Sequence, residues 1–398
     1  MSPGAGSVGI GGTSEPREHR DPWETALRAP FHLATYPLRL LGDGLEATMG
    51  FLGPRFLEPT APRPPSRGPK ITPTISLDGP LDLGIGPAIA WPDFPTAGSH
   101  LRLEGTWSTI DHRQAYFDQE IGSGLPGFRL LAGYEQKHDH QYFGIGNDSR
   151  AGDLSYFTLE SASGEGALLL GSSTRRRLRI GAGFSSMSPL RGARGSPVLA
   201  DAFPPDRAPF EHESTREAWY GVGGDFSTLD RAETRGVQGH FDVRRSSGMR
   251  ARDPDEDEWK LEGRVFVPVF DPRRVMVLRA LYAGVDPRGS KTVLPFYRLM
   301  ASTEDFRFTG YAPERFRDRQ IVHARIEYRW RVLHAVDALV LYDVGEVAPQ
   351  AQGFRLADAH PAWGGGLRLG RARETAWRVE VANGSEGWNG SVSLESDF

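Results

Sequence analysis

The chain has 398 residues, a net charge of −4 and no cysteine. This balance supplies no basic field for nucleic acid. The lack of thiols excludes a disulfide framework and thiolate metal sites, and fits export to an oxidising compartment. Mean hydropathy is −0.43, and the sequence holds no run of about eighteen apolar residues, which argues against helical membrane spans. Glycine is abundant, 48 of 398, and aromatics reach 10% although hydrophobics total only 38%; usual glycine content is ~7%. Such a composition suits β-structure with one apolar face.

Residues 1–22 are rich in glycine, serine, proline and charge, and are expected to be a disordered tail. Gly4-x-Gly6-x-x-Gly9 matches a dinucleotide fingerprint in form only, because no strand precedes it and no helix follows. This start lacks the basic and apolar regions of a signal peptide. Since the rest of the chain points to export, the numbering is expected to omit one or to misplace the start. Residues 23–57 have helical periodicity, with Leu27, Phe31, Ala34, Leu38, Leu41 and Leu45 on one side and interruptions at Pro30 and Pro37. They are read as a short periplasmic amphipathic helical segment docked on the main domain, with an interfacial or plug segment as the sharper alternative. Residues 58–70 form a proline-rich linker.

From residue 71 to 398 the pattern has period two. In residues 321–330 Val322, Ala324, Ile326, Tyr328 and Trp330 alternate with His323, Arg325, Glu327 and Arg329; Trp377, Val379 and Val381 alternate with Arg378 and Glu380. The polar sides carry large charges of both signs, and the strands run longer than the usual ~5–6 residues. One apolar and one charged face predict a transmembrane barrel, with lipid outside and a wet lumen inside. About sixteen strands are expected, an even number within the bacterial range. Trp91, Trp219, Trp330, Trp363 and Trp388 are expected to supply interfacial girdles. Connections after even strands are short; several after odd strands are long, at 141–152, 188–214, 287–319 and 348–359. This asymmetry places both termini on the periplasmic side of an outer membrane. The fold class is therefore all-β: an antiparallel transmembrane barrel with a short N-terminal helical segment. The last strand, ending at Phe398, has the aromatic close of an outer-membrane barrel.

Four segments resemble one family, the BamA/TamA-like assembly-factor barrels, also called bacterial surface antigens. QYFGIGNDS at 141–149, with Tyr142, Phe143, Gly144, Gly146, Asn147 and Asp148, is similar to the family stretch after the fifth strand. FTGYAPERFRDR at 308–319 resembles its long sixth extracellular loop; Phe308, Thr309, Gly310, Tyr311, Arg315, Phe316, Arg317 and Asp318 are the residues concerned. IEYRW at 326–330 and VLYDVGEVAP at 340–349 resemble the next two strands. The resemblance covers about residues 70–398 and implies sixteen strands, with the sixth loop folded into the lumen. Its arginine would reach acidic residues on the inner wall, here Glu327 and Asp343. This chain departs from the family at Thr309, where an arginine usually precedes Gly-Tyr. The cation is therefore expected from Arg307, Arg315 or Arg317, or the contact is lost. Residues 1–70 lack the α/β pattern of a POTRA module, so a POTRA-less, barrel-only member is expected.

The function implied by the resemblance is insertion or translocation of polypeptides at the outer membrane. The seam between first and last strands would open to offer an edge. Pro73 cannot donate to a ladder, and Gly390 contributes little packing near the chain end at Phe398. The alternative is a passive pore or structural barrel. No catalytic motif, cofactor or metal site is expected. His138 and His140 share a strand end with nothing to complete a metal site, and the acidic run 253–258 reads as a solvated loop. Expected partners are outer-membrane lipid and lipopolysaccharide, polypeptide clients or a separate periplasmic protein, and no nucleic acid.

Overall fold

A computed structural model describes residues 68–78, 82–108, 111–122, 126–173, 176–192, 199–230, 232–303, 307–333, 335–370 and 376–395. The tail, the amphipathic segment, most of the linker and Phe398 lie outside the described residues. Sixteen strands form one sheet: β1 Lys70–Asp78, β2 Asp82–Pro92, β3 His100–Ser108, β4 Arg113–Ile121, β5 Gly127–Tyr142, β6 Ser155–Ser173, β7 Arg176–Arg191 and β8 Thr215–Ser227. The second half comprises β9 Gly236–Gly248, β10 Asp255–Val269, β11 Asp271–Arg288, β12 Gln320–Leu333, β13 Val336–Ala348, β14 His360–Leu369, β15 Ala376–Gly384 and β16 Gly387–Glu395. Each strand pairs antiparallel with the next. Among the described residues no ladder joins β1 to β16.

The alternation in sequence becomes the two faces of this sheet. Ile326 on β12, Val340 on β13 and Trp363 on β14 are exposed on the outer face. Register places Arg325 opposite Asp343, so both share the inner face. Leu339 and Leu341, which break the polar rule on β13, form a small apolar patch with Ala382 on that inner wall.

Trp363 and Trp388 lie exposed outside as an edge-to-face pair, with centroids 5.4 Å apart. Trp219 does not join a girdle. It shares the inward parity of Glu217 on β8 and lies buried under the Arg244 guanidinium, 4.6 Å from its ring centroid. A tryptophan can therefore supply cation–π packing to a charged wall instead of an interfacial anchor.

Two connections differ from simple loops. Residues 289–319, between β11 and β12 (loop 6 below), carry a two-residue ladder of Met300–Ala301 against Arg317–Asp318. The turn 228–235, between β8 and β9 at the opposite end of the sheet, buries Leu229, Glu233 and Thr234.

Candidate functional site: the sixth loop against the inner wall

Loop 6 turns inward. Phe308, Thr309, Tyr311, Arg315, Phe316, Arg317 and Asp318 are all buried. The wall accommodates its rings by omitting side chains. A Cβ on Gly345 of β13 would come within 2.2 Å of the Phe308 ring, and one on Gly384 of β15 within 2.7 Å of the Tyr311 ring. The loop tip needs a glycine as well. Gly310 has φ +97, and a Cβ there would lie 2.9 Å from the Ala362 Cβ and the Gly384 nitrogen. Tyr311 Oη donates to the Pro361 carbonyl at 3.0 Å and accepts from Ser385 N at 3.1 Å. Phe316 stacks on His360 with centroids 3.7 Å apart, and Phe308 on His323 at 5.5 Å.

At Thr309 the cation comes from the wall. Arg325 on β12 grips Asp343 of β13 with two parallel bonds, Nε to Oδ1 at 2.6 Å and Nη2 to Oδ2 at 2.9 Å. The same Nη2 donates to Thr309 Oγ1, and Thr309 N donates to Asp343 Oδ2 at 3.1 Å. The expectation that Arg307, Arg315 or Arg317 would supply this charge is corrected. Cross-strand register sets Arg325 directly opposite Asp343; a short hydroxyl side chain on the loop then suffices to join an ion pair that the wall has already made.

The two loop arginines with described contacts work elsewhere. Arg315 bonds Ser149 through both its hydroxyl, at 2.7 Å, and its carbonyl, at 2.5 Å, and pairs with Glu386 at 2.7 Å. Its guanidinium also lies over Phe143 and Phe316, at 5.0 and 4.6 Å. Arg317 pairs with Glu314 at 2.7 Å and donates to the Phe296 carbonyl at 3.2 Å. Asp318 accepts from Arg319 N at 2.7 Å. Glu327, expected to meet a loop arginine, bonds the wall arginines Arg329 and Arg378. Arg378 in turn bonds Glu380 at 2.7 Å, and Glu380 accepts from Arg325 at 3.3 Å. One ladder of alternating charge thus runs along the inside of β12, β13 and β15.

The stretch after β5 braces the loop. Gly146 N donates to the Arg317 carbonyl at 2.8 Å. Asn147 Oδ1 accepts from Val347 N at 3.3 Å and contacts His360 Nε2 at 3.0 Å, while its amide donates to the Asp358 carbonyl at 2.5 Å. Tyr142 packs edge-on to Phe203 and Phe296, at 4.9 and 5.0 Å, and donates its hydroxyl to the Arg207 carbonyl. Gly144 has φ +98 beside Arg207 and Phe203. Asp148 is exposed and stands outside the cluster. Two segments some 170 residues apart in sequence, read separately as motifs, are therefore one packed unit, as the His140–Glu314 contact of 2.5 Å illustrates.

Sequence reading missed several contributors. Arg298, in loop 6, reaches Glu217 on β8 at 3.1 Å and also bonds Glu256 on β10. The acidic run is thus not merely solvated. Asp253 is buried and takes bonds from Arg250 Nε and N, each at 3.0 Å, and Asp257 pairs with Arg245 at 2.8 Å. A register shift between Lys137 and His140 sends the two histidines apart, His138 to Thr158 and His140 to Glu314. At the seam, Pro73 is exposed and lies opposite Pro87. Gly390 lies opposite Val381.

No family model and no curated protein matches the chain. Among solved structures, BamA from Haemophilus ducreyi lacking POTRA domains 1–3 superposes with a TM-score of 0.60 at 14% identity, covering 82% of this chain and 71% of that one. CdiB from Acinetobacter baumannii gives a TM-score of 0.52 at 11% identity, covering 79% of this chain and 56% of that one. The fold is that of a BamA-type outer-membrane barrel. The likeness read from the sequence motifs thus holds at the level of fold, and the sixth loop sits where the barrel encloses its lumen. This chain spans little more than half of the CdiB chain.

Proposed function

We propose that this barrel assists the insertion or translocation of polypeptides at the bacterial outer membrane, with both chain termini periplasmic, and that it works at the seam between β1 and β16. One observation carries this reading: every neighbouring pair of strands is laddered, while no described residue of β1 pairs with β16. An open pair of edges offers backbone donors and acceptors to an incoming strand, the physical basis of β-augmentation. The packed sixth loop supports the same reading over a passive pore, because buried aromatics occupy space that a permanent channel would leave to water.

The test is a seam lock. Cysteines paired between 71–74 and 388–393 are introduced in the full chain, and insertion of an unfolded barrel client is followed in proteoliposomes. Oxidation is expected to abolish insertion and reduction to restore it. Unchanged insertion by the oxidised protein would overturn the assembly role. A large, steady conductance of the unmodified protein in planar bilayers would favour the passive pore instead.

A further inference from the structure

The turn between β8 and β9 enters the barrel from the end opposite loop 6. Leu229 is buried against Phe266, Val275 and Val277, inward-facing residues of β10 and β11. Four residues on, Glu233 reaches Arg368 of β14, with Oε2 3.0 Å from Nη2; both side chains are almost wholly buried, at 4% and 3% exposure. These strands are five ladder steps apart around the sheet, so the bond bridges the lumen instead of joining neighbours. Arg368 is also 3.6 Å from Asp337, which pairs with Arg331 at 3.0 Å.

The turn is built to hold this pose. Asp230 accepts from both the backbone and the hydroxyl of Thr234, at 2.7 and 2.6 Å, and from Arg235 its own backbone N finds a carbonyl at 3.0 Å. Glu233 has φ +55, a left-handed conformation that a glutamate rarely adopts unless its surroundings impose it. Ordinary barrel turns of this size are solvated at the rim. This one buries a carboxylate across the lumen.

We propose that turn 228–235 is a second plug, latched by Glu233 on Arg368, so that the lumen is closed independently at both ends. A solute path would require release of loop 6 at one end and of this turn at the other. The proposal goes beyond the assembly role and rests only on the barrel fold; it stands or falls whether or not the seam inserts clients.

Conductance of the full chain in planar bilayers tests it. Tyr311→Ala loosens loop 6 and E233A with Leu229→Ser loosens the turn. Each set alone is expected to leave conductance within about twofold of the parent, whereas the combination is expected to give a steady channel at least tenfold larger. A combined variant no more conductive than Tyr311→Ala alone would overturn the proposal, provided heat-modifiable migration shows the barrel folded. A second arm avoids loss of packing. Glu233→Cys with Arg368→Cys is bridged by a short bis-thiosulfonate in the Tyr311→Ala, Leu229→Ser background. The bridge is expected to suppress conductance and its reduction to restore it. Failure of the bridge to form, or a channel indifferent to it, would equally refute the plug.

Discussion

The inner walls of β12–β13 and of β1–β2 come from strands with equally apolar outer faces, yet they are built from different materials. Along β12 the inward positions are His323, Arg325, Glu327 and Arg329, all linked across strands or to loop 6. Along β1 and β2 the inward positions include Thr72, Thr74, Gly84, Gly86, Ala88 and Ala90, which are small. Thr74 makes a bond to Glu104 at 3.0 Å, a single light tie. The outer faces meet the same solvent and need the same residues; the inner faces are free to differ. One side of the barrel is cross-braced and carries the loop, and the other ends in an unpaired edge. A machine that must open at one place and stay closed elsewhere needs this inequality.

The largest break in that contrast is expected from Arg325→Met. Removing one member of a buried ion pair leaves Asp343 uncompensated, which typically costs about 3–5 kcal/mol. Denaturant unfolding of the lipid-embedded barrel, together with trypsin cleavage in loop 6, should show the loss. Replacing both members, Arg325→Met with Asp343→Leu, should cost much less, because no charge is stranded. Equal losses in the single and double variants would mean that the pair is incidental.

A glycine pair probes the same difference by volume. Gly345→Val places carbon where the Phe308 ring lies, and overpacking of that kind costs about 1–3 kcal/mol. Gly390→Val on β16 meets nothing nearer than a carbonyl at 3.8 Å, and is expected to stay within about 0.5 kcal/mol. Loop-6 proteolysis should rise for the first and not for the second. A seam glycine as sensitive as Gly345 would erase the distinction between braced and unbraced walls.

These two sites also mark how far the sequence could be read. Strand number and position were legible because period two is forced by the pleat: β12 was expected at 320–333 and lies at Gln320–Leu333. The braced wall was legible in part, since alternation tells which side Asp343 faces. It does not tell which cation arrives there. Arg325 looked like one more charge on a polar face, and only cross-strand register sets it opposite Asp343. Trp219 failed for the same reason: its parity was readable, but the aromatic type suggested lipid. The turn at 228–235 carries no signal in composition, because a polar turn that folds inward is spelled like one that does not.

Exchange at Thr309 sharpens the account of the latch. Thr309→Arg adds a second guanidinium beside Arg325 at one carboxylate, a like-charge crowding in a buried setting, and should loosen the loop. Adding Arg325→Thr should recover most of the loss by returning the site to one cation. The pairwise coupling from such a double-mutant cycle should fall within about 0.5–3 kcal/mol, as for residues in contact. Additive effects would show that the loop hydroxyl and the wall arginine do not share Asp343.

The smallest expected effect is acid release of loop 6 at Glu314. Burial pushes this carboxyl up, but His140 at 2.5 Å and Arg317 at 2.7 Å outweigh it and hold it below its ordinary value of 4.5. A carboxyl whose value is depressed on folding contributes stability that is fully present above the unfolded value and is lost as pH falls through the folded one. Loop docking should therefore be unchanged from pH 7 down to about 5 and weaken only below 4.5. Hydrogen exchange of residues 307–319 measures this, with Glu314→Gln as the comparison. The glutamine variant should start from weaker protection and lose the acid-dependent component. If it retained the parent's acid profile, the proton would be taken up elsewhere, and the His140–Glu314 bridge would not be what ties loop 6 to β5.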